Sequence, residues 1–203
     1  IIKSLSTPTE YRTEATAATA FGGNKKKVPS APMMKKNTEA QSWLGAVMDG
    51  EQYTDTLKYT VKKEGKRAFF TSADDSINMR NKNEVDTYIH EIGHAIEDKY
   101  PDVHQRCIEF LEYRAKGESP EKMSVITGNK AYRADEIAIR DNFVDEDGEQ
   151  PYTGKIYKNS AGEYVASEIL SMGLQQMYRD AAGFAARDPE YFNFILSIMR
   201  RAT

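Results

Sequence analysis

The stretch YIHEIGHAIE, residues 88–97, sets two histidines four positions apart with a glutamate directly after the first. The chain has three histidines in all, so this one decamer holds most of its imidazole. On a helix, residues four apart lie on nearly the same side, so His90 and His94 can grip one ion while Glu91, about 100° further round, addresses its open face. Zinc prefers imidazole ligands in a tetrahedral arrangement, and a catalytic site uses three protein ligands so that the fourth position stays open. A carboxylate beside such a site can act as a general base. With average residue frequencies, an HExxH match arises by chance in such a chain on the order of half a per cent of the time. A metal centre is therefore the better reading than two histidines on a polar helix face.

The surroundings agree with a helix seated in a core. Asn83 is placed to cap it, Val85, Ile89, Ile92 and Ile96 recur as one apolar stripe, and Pro101 stops it. Gly93, between the histidines, allows another element to approach closely.

Upstream, residues 1–36 are rich in Thr, Ala, Ser, Lys and Pro and read as an extended arm, leaving 37–203 as one domain. Lys25, Lys26 and Lys27, with Lys35 and Lys36, make the arm basic, which suits a solvated linker or a strap on an acidic partner. Asn37 or Thr38 is placed to cap a helix running to Gly50. Three short strands are expected around Leu57–Val61, Arg67–Thr71 and Ser76–Met79, with KEGK as a tight turn, forming a small antiparallel sheet. Downstream, a helix is expected from Pro101 to about Lys116, then strands in DEIAIRDNFV and GKIYK, then helices over Glu163–Tyr178 and from Pro189 to about Arg201, with a short AAGFAAR segment between them.

The third metal ligand must come from elsewhere. A metzincin extension would need Gly at position 97 and His at 100, where this chain has Glu97 and Tyr100. His104 lies beyond Pro101 and reads as a surface residue. Glu168 stands out, because it is the one charged residue between Tyr164 and Tyr178, among apolar and small residues. An isolated buried carboxylate is costly unless it is paired or bound to metal.

Composition bounds the rest. The chain has 203 residues, 39% of them hydrophobic, enough for one substantial core. A formal charge of −3 and a pI near 5.7 give no basic field, so composition offers no support for nucleic-acid binding. The one cysteine, Cys107, excludes an internal disulfide and reads as core. No apolar run approaches the ~18 residues that cross a bilayer. The chain opens IIKSLSTP without an initiator Met, which suggests a processed product or part of something longer.

The pairing of HEIGH with the later SEILSMG resembles the gluzincins, zinc peptidases that use Glu as third ligand. The longer stretch GKIYKNSAGEYVASEILSMG, followed by DPEYFNFI, resembles the end of the catalytic domain in anthrax-lethal-factor-like peptidases. It also resembles peptidase-like C-terminal regions of phage head-morphogenesis, or minor capsid, proteins. The resemblance spans about residues 67–200 and implies an α+β zincin-like metallopeptidase fold. It makes His90, His94 and Glu168 the Zn2+ ligands, Glu91 the general base and Tyr157 the hydroxyl that steadies the oxyanion. Tyr164, one turn before Glu168 on the same expected helix face, is the alternative hydroxyl. Thermolysin-like enzymes carry an Asp four residues after the ligand Glu; Met172 stands there, leaving Ser171 as the substitute that orients a ligand histidine. The SINM strand would then be an edge strand open to an extended peptide substrate. The resemblance also places the chain in a virion or the host cytoplasm, where the basic arm would bind other assembly subunits. A protein that only scaffolds such an assembly would keep the zinc and not need Glu91.

Overall fold

A computed structural model describes residues 28–48, 57–63, 65, 67–139, 143–145, 148–149 and 151–200. The fold is α+β. The helix built on the opening motif, α2 (Val85–Lys99), runs through its centre. The expected stripe is buried, with Val85, Ile89, Ile92 and Ile96 each at most 9% exposed, and each such side chain contributes about 1.5–3 kcal/mol. Burial extends past the stripe to Tyr88, Ala95 and the polar residues His90, Glu91 and Glu97. Solvation therefore cannot explain those polar side chains. Glu84 occupies the cap position, while Asn83 closes the preceding turn by accepting from the Arg80 N–H at 2.7 Å.

Helix α1 (Ala31–Val47) packs along α2 and begins six residues before Asn37, inside the segment expected to be extended. Pro32 suits a first helical turn, and Met33 is buried in the core. Asn37 is itself buried and accepts a hydrogen bond from the Tyr59 hydroxyl at 2.9 Å, so it is an anchor rather than a cap. Lys36 is not a free arm lysine: its ammonium reaches the Asn83 carbonyl at 2.7 Å and the Glu84 carboxylate at 3.0 Å, fastening α1 to the start of α2. Residues 1–27 of the expected arm, with Lys25–Lys27, lie outside the described residues.

The first sheet has the order β1-β3-β2, with β1 (Thr60–Lys62), β2 (Phe69–Thr71) and β3 (Ser76–Asn78). It is mixed rather than antiparallel, since β3 runs parallel to β1 and antiparallel to β2. The SIN strand is therefore central and not an edge. Its three residues are all buried, and a strand buried on both faces and flanked on both sides carries no alternation to reveal its place. The edge beside α2 is β2.

Helix α3 (Pro101–Arg114) turns back along α2, and α4 (Met123–Ile126) is one short turn. The second sheet has the order β4-β5-β8-β9, with β4 (Glu121–Lys122), β5 (Ile137–Ala138), β8 (Lys155–Lys158) and β9 (Tyr164–Ala166). The single strand expected in DEIAIRDNFV divides into β5 and β6 (Val144–Asp145), and β6 pairs with β7 (Gly148–Glu149) in a separate hairpin. Ala115, Ile139 and Ile156 form a small apolar cluster of their own.

The last two helices are α5 (Ile169–Arg187) and α6 (Pro189–Met199). The expected break before AAGFAAR is present as a non-helical Asp180 inside α5, whose carboxylate accepts from the Gly183 N–H at 2.8 Å. Asp188 starts α6 by accepting from the Tyr191 N–H and takes both Arg114 nitrogens at 3.0 Å. Phe110 stacks on Phe194 with ring centroids 4.1 Å apart, tying α6 to α3. No helix of the described residues is long and apolar enough to cross a membrane.

Helices α2 and α5 come close together at Gly93. A Cβ added to Gly93 would lie 2.7 Å from the Ser171 Cα, a backbone atom that cannot swing aside. Gly93→Ala should therefore force the two helices apart and destabilise the protein by about 1–3 kcal/mol, measured as a shift of the urea midpoint at constant m-value.

Candidate metal centre

Two imidazoles and one carboxylate converge at the α2–α5 contact. The Nε2 atoms of His90 and His94 lie 3.3 and 3.1 Å from Oε2 of Glu168, and the two rings stand edge to face with centroids 5.0 Å apart. Two ligand atoms held about 2.0–2.1 Å from a tetrahedral zinc are separated by about 3.3 Å, so these spacings fit one ion. Among the described residues, His90, His94 and Glu168 form a group of two imidazoles and one carboxylate that could hold a metal ion. Nitrogen, nitrogen and carboxylate oxygen suit zinc and its neighbours among the transition metals rather than calcium or magnesium.

Glu168 arrives by a route unlike the expected helix. In N-S-A-G the Asn159 side chain accepts from the N–H groups of Ala161 and Glu163, and Gly162 takes a φ of 83°, so the chain reverses. Tyr164, Val165 and Ala166 then return as β9 alongside β8, and Glu168 occupies the cap position of α5. Its side chain is fully buried. Ser171 does not orient a histidine: its hydroxyl lies 3.0 Å from Oε2 of Glu168.

Electrostatics follow from burial. Burial opposes ionisation of Glu168, yet the neighbouring imidazoles, His94 first, hold its carboxyl well below the ordinary range. Burial likewise opposes a charged His94, but the charge and hydrogen bond of Glu168, helped by Glu91 and Glu97, raise its pKa to about 9. Glu91 is 4% exposed, and burial, with the nearby Glu168 charge, raises its pKa against the pull of both histidines. The Phe70 backbone of β2 hydrogen-bonds to it. An acid so shifted, beside a candidate metal and bonded to neither histidine, is suited to taking up and returning a proton.

Tyr157, on β8, donates to Oε1 of Glu168 at 2.5 Å. Burial and the Glu168 charge push its phenol strongly upward, so it stays a donor. Tyr164 is not at the site. It lies on β9 rather than on a helix, is packed against the small cluster of Ala115, Ile139 and Ile156, and its ring faces the Lys158 ammonium at 4.2 Å. Sequence reasoning missed Tyr152, a second phenol that interacts with both Glu168 and Tyr157 and whose ring lies 6.4 Å from that of His90. It also missed Lys155, which is 6% exposed, ion-paired with Glu136 at 2.8 Å, and set 5.1 and 4.9 Å from the rings of Tyr152 and Tyr157. No spacing signals this pair, because Tyr152 sits in a turn whose Gly154 lies against the Ile139 carbonyl. His104, expected at the surface, is half-buried and 3.0 Å from Glu97.

No family model, curated protein or solved structure matches the chain.

The pairing of His94 with Glu168 sets a pH dependence for the metal-free protein. A His94 pKa raised from 6.5 to about 9 gives stability that is complete below pH 6.5 and lost as the pH rises through 9. The loss is on the order of 3 kcal/mol, counted once because the depressed Glu168 expresses the same interaction. From the acid side, the Glu168 contribution is present above its ordinary value of 4.5 and disappears below that as the carboxylate is protonated. Urea titrations with a chelator should show falling stability between pH 6.5 and 9.5. A flat profile would contradict the paired state.

Proposed function

We propose that this chain is a zinc-dependent peptidase with a zincin-like domain, related in kind to the gluzincins. The observation that carries the proposal is the approach of Glu168 Oε2 to the Nε2 atoms of both HExxH histidines, with buried Glu91 beside them and bonded to neither. His90, His94 and Glu168 would hold Zn2+, which when bound polarises a carbonyl and acidifies a water. Glu91 takes the proton from the attacking water and delivers it to the nitrogen of the leaving amine, so the acid–base cycle closes on one carboxylate. The Tyr157 hydroxyl, kept protonated by its surroundings, can turn from Glu168 to the developing oxyanion. Tyr152 stands next to it as a second donor. The β2 edge, whose Phe70 backbone touches Glu91, takes over the substrate-holding role expected of the SINM strand.

Wild type should bind about one zinc per chain, and His90→Ala or His94→Ala should lose most of it by elemental analysis. Glu168→Gln should weaken zinc far more than Glu163→Gln, since Glu163 is exposed and bonded only to the Asn159 turn. Equal zinc loss in the two glutamine variants would remove Glu168 from the site.

Enzyme and scaffold part at Glu91. Glu91→Gln should keep fold and zinc while peptidase activity falls by ~10²- to 10⁴-fold. The assay is cleavage of a broad peptide library and of proteins from any assembly that the chain joins. A wild type that binds zinc and cleaves neither set would favour the scaffold of a phage virion, whose contacts the basic arm would make.

A further inference from the structure

The peptidase reading leaves one fully committed buried carboxylate without a role. Glu97 is 2% exposed and lies three residues after His94, on the same helix as both histidine ligands. Both of its oxygens are used. Oε2 accepts from the Ser167 hydroxyl at 2.9 Å, and Oε1 lies 3.0 Å from Nδ1 of His104 on α3. The His104 ring also hydrogen-bonds to the Tyr164 backbone on β9. Ser167 in turn accepts from the Ile169 N–H at 3.2 Å, in the first turn of α5.

These bonds enclose the residue that matters. Ser167 immediately precedes Glu168, and Tyr164 and Ile169 stand on either side of the pair. Ala166 pairs with Tyr157 across β9 and β8, so the same fastening fixes the strand that carries the phenol.

Resting on the metal reading above, we infer that Glu97, with Ser167 and His104, is the positioning brace that sets the third ligand against the first two. The argument is mechanical. His90 and His94 are fixed to each other by the helix, whereas Glu168 comes from a turn between a strand and another helix. A bond from that turn to Glu97 makes α2 the common frame for all three ligands. A carboxylate buried this deeply is held only where both oxygens are satisfied, and here both satisfying groups belong to elements that deliver or clasp the Glu168 segment. Hydrogen-bond partners of this kind typically change metal affinity by about 10- to 100-fold when removed.

The test uses the full chain and zinc itself, with affinity read by competition against a chromophoric chelator and geometry read from the visible spectrum of the cobalt-substituted protein. Ser167→Ala should weaken zinc by about 10- to 100-fold and alter the cobalt bands. His104→Gln, at a half-buried position that tolerates change, should weaken zinc several-fold and carries the test if Ser167→Ala does not fold. Ser197→Ala is the control for stability alone, since Ser197 bonds Arg106 and the Phe194 carbonyl on α6, away from the site. It should lower the melting temperature and leave zinc affinity unchanged. Wild-type affinity and cobalt spectrum in both brace variants would overturn the brace and leave the metal site standing. Absence of zinc binding by the wild type would overturn the metal reading and the brace with it.

Discussion

A carboxylate with no exposed surface has to be neutralised where it sits, and Glu168 organises the molecule around that requirement. Its partners come from three elements: the imidazoles of His90 and His94 on α2, the phenol of Tyr157 on β8, and the hydroxyl of Ser171 one turn into α5. For these groups to meet, two helices must nearly touch, which is why a glycine lies between the histidines where the Ser171 backbone passes. Packing and chemistry are therefore not separable at this contact. Any side chain on Gly93 would move the carboxylate as well as the helix.

The same concentration of polar groups makes α2 unusual among helices of a small domain. An amphipathic helix normally divides into an apolar face and a wet one, but here His90, Glu91 and Glu97 are buried along with the apolar stripe. Each is balanced by a different neighbour: His90 by Glu168, Glu91 by the β2 backbone, Glu97 by Ser167 and His104. The helix is thus a polar spine with an apolar coat, and the elements packed on it are also its hydrogen-bonding partners.

The sequence made α2 and its three polar side chains readable because a helix converts spacing into direction: positions 90, 91 and 94 fix three side chains on one cylinder. Glu168 was readable from composition, as a lone charge in an apolar run. Its backbone was not, because Y-V-A-S-E fits a helical period as well as a strand, and what decided the matter was pairing with β8 beyond the N-S-A-G turn. Tyr164 was misplaced for that reason. The mixed first sheet escaped for a related one, since three-residue strands are too short to show a period and their order depends on crossovers that local pattern does not encode. Tyr152 and Lys155 were invisible because an irregular turn, not a periodic element, brings them together, and Glu136 reaches Lys155 only through tertiary packing.

The ladder between β8 and β9 has a consequence of its own. Tyr157 faces Ala166 there, two residues before Glu168, and the register shifts by an irregularity between Tyr157 and Lys158. In a strand, a slip of one residue turns every side chain to the opposite face. The phenol thus owes its direction to the number of residues in the N-S-A-G reversal as much as to being tyrosine. Lengthening or shortening that loop by one would shift the ladder and turn the hydroxyl away from Glu168, so loop length decides whether the phenol meets the buried carboxylate.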